Sequence, residues 1–270
     1  MITPSLMKNK KGLVMGVAND RSIAWAIAKI LSNSGAKVAL TYQGEVLKKR
    51  VEPLAKEINS SLVLECNVEN ENNISNVFKK IKRKWKNIDF VVHAIAFSNR
   101  EELKGKYLNT TKENFKKTID VSCFSFTAVA REASKIMNNG GSLLTLSYFG
   151  SEKFMPHYNV MGVAKSALEA SIKYLAKDLG EKKIRVNALS PGPIKTLAAS
   201  AIGDFNYILK WNENNSPLKR NITLEDISGS AIYLLSDLSS GVTGEIHHVD
   251  SGYNIIGMKD MDSPDIFEEK

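Results

Sequence analysis

The sequence has very little cysteine and no long apolar run, and both absences exclude classes of protein. Of its 270 residues, only Cys66 and Cys123 are cysteines. Two cysteines are too few for a disulfide framework and have no metal-ligand spacing, so we expect two buried thiols in a reducing cytoplasm. No apolar segment approaches the ~20 residues that a membrane-crossing helix needs, so we expect a soluble protein without a membrane contact. The apolar stretch after the basic residues 1–11 is too short for a signal peptide.

Histidine is also scarce, and the motifs of common hydrolases are missing. Three of the four histidines, His157, His247 and His248, are too scattered for a metal site. His93 lies within an apolar run, where a histidine is more often a satisfied core residue than a base. The sequence contains no GxSxG elbow, so nothing indicates a serine hydrolase.

The chain carries a net charge of +8, from 37 Lys and Arg against 29 Asp and Glu. Such a balance suits nucleic acid, a membrane surface or an acidic protein partner. The lysines are spread out, however, and the densest group, at 79–84, shares a segment with Ile74, Val77 and Ile81 at helical spacing. We therefore interpret that group as the solvated face of a helix and predict no binding to nucleic acid.

Apolar segments of strand length alternate with amphipathic segments of helix length along nearly the whole chain. The pattern predicts strands at 12–15, 37–41, 62–65, 88–93, 142–147, 185–189 and 245–249. It predicts helices at 23–33, 46–58, 74–84, 112–137, 158–179 and 224–236. This alternation specifies an α/β fold with a single Rossmann-type, doubly wound parallel sheet of about seven strands and helices on both faces. No linker divides residues 1–270, and we expect a loose acidic tail from about 259.

The loop after the first predicted strand is a candidate cofactor site. In a doubly wound fold, this loop and the helix after it bind dinucleotide phosphate through backbone N–H groups. Here the loop is not GxGxxG. Gly16 would allow close backbone approach and Ser22 would place a hydroxyl near the helix start, but an ordinary turn with a helix cap is an equal alternative.

The end of the second predicted strand bears on the choice between NADH and NADPH. Gln43 stands where an NAD-specific acidic residue usually binds the ribose diol, and no cation stands beside it to receive a 2′-phosphate. Residues 48–50 are basic, but their positions fit the solvent-exposed face of a helix. The sequence therefore favours NADH. The small residues after His93 could admit a flat ring or a ribose, although a simple strand exit would look the same.

Tyr158 and Lys165 stand seven positions apart at the start of a predicted helix. Seven residues make nearly two turns, so we expect both side chains on one helix face, about 10 Å apart along its axis. An ammonium there can hold ribose hydroxyls while a phenol donates to a substrate oxygen. A chance pairing on one face is the alternative for the pair taken alone.

Four stretches carry a resemblance to a known family: Thr145–Tyr148, Tyr158–Lys165, Arg185–Ala188 and Gly192–Ser200. Through them the chain resembles the bacterial NADH-dependent enoyl-acyl-carrier-protein reductases, a divergent branch of the short-chain dehydrogenases, over nearly its whole length. Ordinary short-chain dehydrogenases space the tyrosine and lysine by four. The spacing of seven, with Tyr148 ten positions upstream, resembles the enoyl reductases rather than the ketone reductases.

The resemblance implies reduction of the trans-2 double bond of enoyl thioesters in fatty acid biosynthesis. It places Tyr158 on the thioester carbonyl, Lys165 on the nicotinamide ribose and Tyr148 as a second active-site tyrosine. It also implies a substrate-side position at Ser98. The cofactor-binding positions that it implies are Gly16, Ser22, Ile23, Gln43, Asn67, Val68, Ile95, Lys165, Ile194, Lys195, Thr196, Leu197 and Ala198, with Thr196 at the pyrophosphate.

The same resemblance implies partners. We expect a homotetramer, acyl carrier protein as the substrate carrier, and a segment at about 194–212 that covers the substrate. Some positions depart from the family. Asn67 replaces a common Asp at the adenine amine, and Gly203, Asn206 and Tyr207 stand where relatives often have basic residues for the carrier. Cations available to dock it instead are Lys195, Lys210, Lys219 and Arg220. A carbonyl (3-ketoacyl) reductase and a non-catalytic NAD-binding regulatory module are the alternatives.

Overall fold

The computed structural model describes residues 5–196 and 204–264, and its centre is one seven-stranded sheet. The strands are β1 (Lys11–Met15), β2 (Lys37–Tyr42), β3 (Val63–Glu65), β4 (Phe90–His93), β5 (Gly141–Leu146), β6 (Ile184–Pro191) and β7 (Ile246–Val249). Every neighbouring pair is parallel, in the order β3-β2-β1-β4-β5-β6-β7. The predicted doubly wound parallel sheet is confirmed.

The helices cover both faces of this sheet. They are α1 (Ile23–Asn33), α2 (Gly44–Glu57), α3 (Glu71–Trp85), α4 (Lys112–Ile119), α5 (Ser125–Ala133), α6 (Val160–Gly180), α7 (Phe205–Asn215) and α8 (Leu224–Leu235). One buried cluster joins the sheet to α3, α5 and α6. A second joins its other face to α1, α2 and α8.

Alternation along the strands produces these two cores. Leu13 and Met15 of β1 face the first cluster, whereas Val14 between them faces the second. Because both faces are covered, β1 and β4 each carry three consecutive apolar residues, as is typical of parallel sheets. Cys66 and Cys123 are free, buried thiols, as predicted. No helix in the two described stretches has the length and apolar character to cross a bilayer.

The prediction of one helix over 112–137 was wrong in two respects. First, Asp120–Phe124 forms a π-helical turn between α4 and α5. Hydrophobic periodicity does not detect such a widened turn, whereas π turns frequently lie near functional sites. Second, α5 ends at Ala133, because the chain turns inward: Ile136 and Met137 are 3% and 2% exposed, and the Ile136 carbonyl accepts the Ile88 N–H.

Candidate active site

The carboxyl ends of β1, β2 and β4 open into a cleft with about 1220 Å³ of empty space. The strand order reverses at β1, which has β2 on one side and β4 on the other. Open α/β sheets bind ligands at this switch point. The lining residues include Gly16, Val17, Ala18, Ile23, Thr41, Tyr42, Gln43, Leu47, Cys66, Val68, Ala94, Ile95, Ala96, Leu146, Lys165 and Thr196.

Gly16 closes the turn between β1 and α1 at the cleft. Its φ is +96°, and a Cβ placed on it would lie 2.0 Å from the Ala94 carbonyl oxygen. No residue with a side chain fits there. Ser22 precedes α1 but its side chain makes no capping bond. Its hydroxyl donates to the Asn19 carbonyl at 2.6 Å instead and so closes the loop, while Ser22 still occupies the N-cap position of α1.

At the β2 end of the cleft, Gln43 belongs to the lining and Asn67 does not. Gln43 lines the cleft together with Val68. Asn67 lies outside the lining, and its Oδ1 accepts the Glu69 N–H at 3.1 Å, so binding of an adenine amine would have to share that acceptor. On α2, the Lys48 ammonium pairs with Glu45 at 3.1 Å.

At the opposite end of the cleft, Lys165 reaches in from α6. Its side chain is buried, with 5% of the residue exposed, and its Nζ donates to the Leu146 carbonyl at 2.7 Å. Burial lowers the pKa of Lys165 to about 8. The ammonium is therefore the major form at neutral pH and titrates just above it.

Tyr148 and Tyr158 lie beside each other but are not among the residues that line the main cleft. Tyr148 lines a separate pocket with Met155 and Trp211. The ring centroids of the two tyrosines are 4.8 Å apart in an edge-to-face contact. Burial raises the pKa of both phenols, so both keep their protons at neutral pH and can donate hydrogen bonds. The predicted helix start at Tyr158 was wrong. α6 begins at Val160, after His157 and Asn159 with φ of 56° and 40°, so a turn rather than a helix face aims the phenol.

Two glycines make room for Tyr158. A Cβ on Gly150 would lie 2.4 Å from Tyr158 Cδ1, and a Cβ on Gly162 would lie 2.7 Å from the Gly150 carbonyl oxygen. The first turn of α6 therefore packs directly on the turn at 149–151. Both glycines lie within the two tyrosine motifs, but their purpose is visible only when those motifs are in contact.

The loop after β4 is fixed to α4 and the π turn. Ser98 accepts hydrogen bonds from Thr118 Oγ1 at 3.0 Å and from Asn114 Nδ2 at 3.2 Å. One residue earlier, Ser122 Oγ contacts both the N–H and the carbonyl of Phe97. The hydroxyl of Ser98, expected on the substrate side, is thus engaged in holding the loop.

His93 is a core residue, as the sequence indicated. It is 1% exposed, and its Nε2 lies 2.8 Å from Ser125 Oγ. Burial, with a smaller contribution from Lys165, lowers the pKa of His93 to about 3. A neutral imidazole at physiological pH is not an acid for this site.

The segment after β6 divides between two depressions. Thr196 lines the main cleft, whereas Ile194 and Lys195 line a separate groove of about 1300 Å³ with Lys210 and Glu213 of α7. Leu197 and Ala198 lie outside the described residues. Two of the cations expected to dock a carrier are in ion pairs: Arg220 with Asp226 at 2.6 Å, and Lys219 with Asp260 at 3.6 Å.

Sequence reasoning missed Glu169. It lies one turn after Lys165 on α6, and its Oε1 accepts hydrogen bonds from Ser147 and Ser151 on either side of Tyr148. The spacing of four from Lys165 was a usable signal, because residues i and i+4 share a helix face.

Comparison with known proteins gives one consistent result. Residues 16–254 match the family model described as enoyl-(acyl carrier protein) reductase. The chain is 64% identical over 261 residues to enoyl-[acyl-carrier-protein] reductase [NADH] 1 of Rhizobium meliloti, which covers 97% of this chain and 96% of that one. It is 56% identical to the corresponding NADH-dependent reductase of Rickettsia prowazekii, over 95% of this chain and 98% of the relative.

Two crystal structures give the same fold. The enoyl-(acyl-carrier-protein) reductase of Anaplasma phagocytophilum in complex with NAD matches with a TM-score of 0.93 and 55% identity, over 98% of this chain and 100% of that one. The Bacillus cereus reductase with NADP+ and an indole naphthyridinone matches with a TM-score of 0.92 and 52% identity, over 94% and 99%.

Proposed function

Because this chain belongs to the enoyl-(acyl carrier protein) reductase family, we propose that Tyr158, Tyr148 and Lys165 perform the reaction of that family here. The protein is an NADH-dependent oxidoreductase that reduces the trans-2 double bond of enoyl thioesters in fatty acid biosynthesis. The observation that carries the assignment of roles is the edge-to-face contact of two protonated tyrosines, with a buried lysine on the helix that follows.

The main cleft fits NADH. It lies at the switch point of the sheet, it offers the side-chain-free turn at Gly16 for close approach of phosphate, and it holds an ammonium at its far end. When bound, NADH supplies the hydride that the substrate's β-carbon receives. The residues that would hold it are Gly16, Ile23, Gln43, Val68, Ile95, Lys165 and Thr196, with Ser22 shaping the phosphate loop.

Lys165 is suited to bind ribose hydroxyls. An ammonium has three N–H donors, and within the described part of the chain one of them is used by Leu146. Two donors are therefore left for the cleft. Charge-assisted hydrogen bonds are shorter and stronger than neutral ones, so this residue holds the ribose most firmly while it keeps its proton.

Tyr158 is suited to the thioester oxygen. Negative charge gathers on that oxygen as the β-carbon accepts hydride, and a fixed donor in a buried setting stabilises it more than water would. The raised pKa keeps the proton on the phenol, so Tyr158 enters the reaction as a donor. Tyr148 supports its ring from the side.

Several finer points belong to the same proposal. The enzyme works as a homotetramer in the cytoplasm; exposed apolar side chains, such as Tyr174 on α6 at 76% and Phe124 in the π turn at 39%, suit contacts between copies. Light scattering at micromolar concentration should give about four times the 29.9 kDa of one chain. A mass near that of one chain would overturn the tetramer.

Acyl carrier protein delivers the substrate, and Lys195 and Lys210, which share the groove beside Thr196, are its proposed contacts. The cover of the acyl chain is proposed to be the segment at about 194–212, of which residues 197–203 lie outside the described residues. Loss of activity on carrier-bound substrate, with activity on the coenzyme A thioester retained, in Lys195→Ala/Lys210→Ala would support this docking site. Equal loss on both substrates would contradict it.

One assay tests the function and both alternatives. Purified protein is mixed with crotonyl-coenzyme A and NADH, and oxidation of NADH is followed by its absorbance. Steady consumption is expected. Consumption with a 3-ketoacyl thioester and none with the enoyl thioester would make the protein a carbonyl reductase. Binding of NADH without turnover of either would make it a regulatory module.

A further inference from the structure

Glu169 connects α6 to the turn that presents Tyr148. Its Oε1 lies 2.5 Å from Ser151 Oγ and also accepts a hydrogen bond from Ser147 Oγ. A carboxylate oxygen has two lone-pair sites and accepts both hydroxyls readily, and bonds to a charged acceptor are the strong ones. The catalytic roles described above make no use of this residue.

The two serines stand on either side of Tyr148. Ser147 directly precedes it and is 5% exposed, whereas Ser151 Oγ lies 2.9 Å from the Tyr148 carbonyl oxygen. Gly150, which leaves room for the Tyr158 ring, lies within the same turn. One carboxylate oxygen therefore fastens both ends of the turn at 147–151 that sets the positions of both phenols.

Glu169 is one of three α6 side chains that hold this part of the chain. Lys165 binds the Leu146 carbonyl at 2.7 Å, and Ser166 Oγ donates to the Ser151 carbonyl at 2.6 Å. Of the three, Glu169 alone brings negative charge. Its contacts also differ in kind, because they are made to side chains and can be removed without changing the backbone.

Glu169 follows Lys165 by four residues on α6, so the two side chains share one helix face and the carboxylate acts on the ammonium. Lys165 interacts electrostatically with three titratable groups: Cys123 of the π turn, His93 of β4 and Glu169 of α6. Burial keeps the pKa of Cys123 raised and that of His93 at about 3, so both are neutral near pH 7. Burial lowers the pKa of Lys165, and Cys123 and Glu169 act against that shift. Tyr158 is faced by Tyr148 and Glu169.

We propose that Glu169 is a positioning residue for this reaction: it holds the Tyr148 turn through Ser147 and Ser151, and it places a carboxylate one helical turn from Lys165, which binds the cofactor. The inference rests on the roles proposed above for Tyr148 and Lys165. It assigns Glu169 two separable effects, one through hydrogen bonds and one through charge.

Three variants separate these effects. Glu169→Gln keeps an acceptor oxygen for the serines but removes the charge. Glu169→Ala removes both. Ser147→Ala/Ser151→Ala removes the hydrogen bonds and keeps the charge. Asp178→Asn is the matched control, because it removes one exposed carboxylate from the same helix at a distance of two to three turns from Glu169.

Two readouts are measured on each variant. The first is the dissociation constant of NADH between pH 6 and 10, from cofactor fluorescence without substrate. The second is kcat with crotonyl-coenzyme A at pH 7. Removing a carboxylate lowers the pKa of a neighbouring ammonium, so Glu169→Gln and Glu169→Ala should both lose NADH affinity at a lower pH than the unmodified enzyme does. The double serine variant and Asp178→Asn should not shift.

The kcat readout should sort the variants differently. Glu169→Ala and the double serine variant should lose roughly tenfold to a hundredfold, because small displacements of a positioned group cost that much. Glu169→Gln should lose less than either, and Asp178→Asn should lose nothing. An unchanged pH limb together with unchanged kcat in Glu169→Gln and Glu169→Ala would overturn the proposal, as would an equal shift in Asp178→Asn.

If Glu169→Ala fails to fold, shown by loss of its thermal unfolding transition, Glu169→Gln and the double serine variant still decide both effects. Inactivity of the unmodified protein toward enoyl thioesters would count against the function itself. The pH limb of NADH binding needs no substrate and would still test the charge effect of Glu169.

Discussion

The rings of Tyr148 and Tyr158 meet edge to face at 4.8 Å, with 66° between their planes. The contact joins two parts of the chain that follow different elements, the exit of β5 and the turn before α6. Edge-to-face packing fixes the plane of the Tyr158 ring and hence the direction of its O–H. The site therefore aims its principal donor by packing, and several expected outcomes depend on this.

Removal of the Tyr158 hydroxyl in Tyr158→Phe should reduce kcat roughly tenfold to a thousandfold, because the donor matters most as charge gathers on the thioester oxygen. The ring contact with Tyr148 is retained. The NADH dissociation constant should hardly change. If Tyr158→Phe weakened NADH binding while kcat stayed intact, Tyr148 would become the better candidate for the donor.

Lys165 should make cofactor binding depend on pH. Its pKa of about 8 lies below the usual lysine value, so the ammonium is lost as pH rises through about 8. NADH affinity of the unmodified enzyme should accordingly fall above that pH. Lys165→Ala should bind NADH more weakly at pH 7 and show no such fall, as titration by cofactor fluorescence would reveal. A pH profile shared by both proteins would refute this role.

The lowered pKa of Lys165 should also make the free energy of unfolding depend on pH. Between about pH 8 and the ordinary lysine value of 10.5, the unfolded chain binds more protons at this residue than the folded chain does. The contribution of Lys165 to the free energy of unfolding should therefore rise with pH across that interval and be absent from Lys165→Ala. Urea unfolding of both proteins at pH 7.5 and 9.5 measures the difference; an equal change in both would contradict it.

Gly150→Ala should damage the site without a polar change. The added methyl would lie 2.4 Å from the Tyr158 ring, so the ring or the turn must move. We expect kcat to fall by roughly tenfold to a hundredfold, as a displaced catalytic group implies. Gly229→Ala is the control: its Cβ meets no atom within 4 Å in the described structure, and it lies inside α8. It should keep full activity and gain about 0.5–1 kcal/mol of stability.

NADH should be used in preference to NADPH. Gln43 brings no positive charge to the cleft, and Lys48 on α2 is paired with Glu45, so a 2′-phosphate would be desolvated without a partner. Gln43→Arg should raise kcat/KM for NADPH, so kcat/KM for NADH should exceed it by a smaller factor than in the unmodified enzyme. The NADP+ in the Bacillus cereus structure makes this comparison informative. A higher kcat/KM with NADPH in the unmodified enzyme would direct attention to Lys48.

Sequence patterns predicted the sheet and most of the cleft because they depend on local periodicity and on position after a strand. α1 was predicted with its observed ends, and Gly16, Gln43 and Ile95, which the sequence offered as candidate cofactor positions, line the cleft. What the patterns missed depends on contacts between distant segments. The turn that aims Tyr158, the loop-closing bond of Ser22 and the bridge from Glu169 to Ser147 each require the packing of α6 or α1 against its neighbours.

The π turn at Asp120–Phe124 amounts to one extra residue within an otherwise continuous helix. On its α4 side, Thr118 Oγ1 donates a hydrogen bond to Ser98 Oγ, and on its α5 side, Ser125 Oγ is hydrogen-bonded to His93 Nε2. Each residue of a helix advances about 100° around the axis. Deletion of any residue in the turn would restore regular α-helical geometry. It would also rotate either Thr118 or Ser125 away from its hydrogen-bond partner at the end of β4, while the other residue kept its position. The turn at Asp120–Phe124 should therefore tolerate a deletion or an insertion less well than a surface loop does. A substitution that keeps the length of the turn should have a smaller effect on the fold.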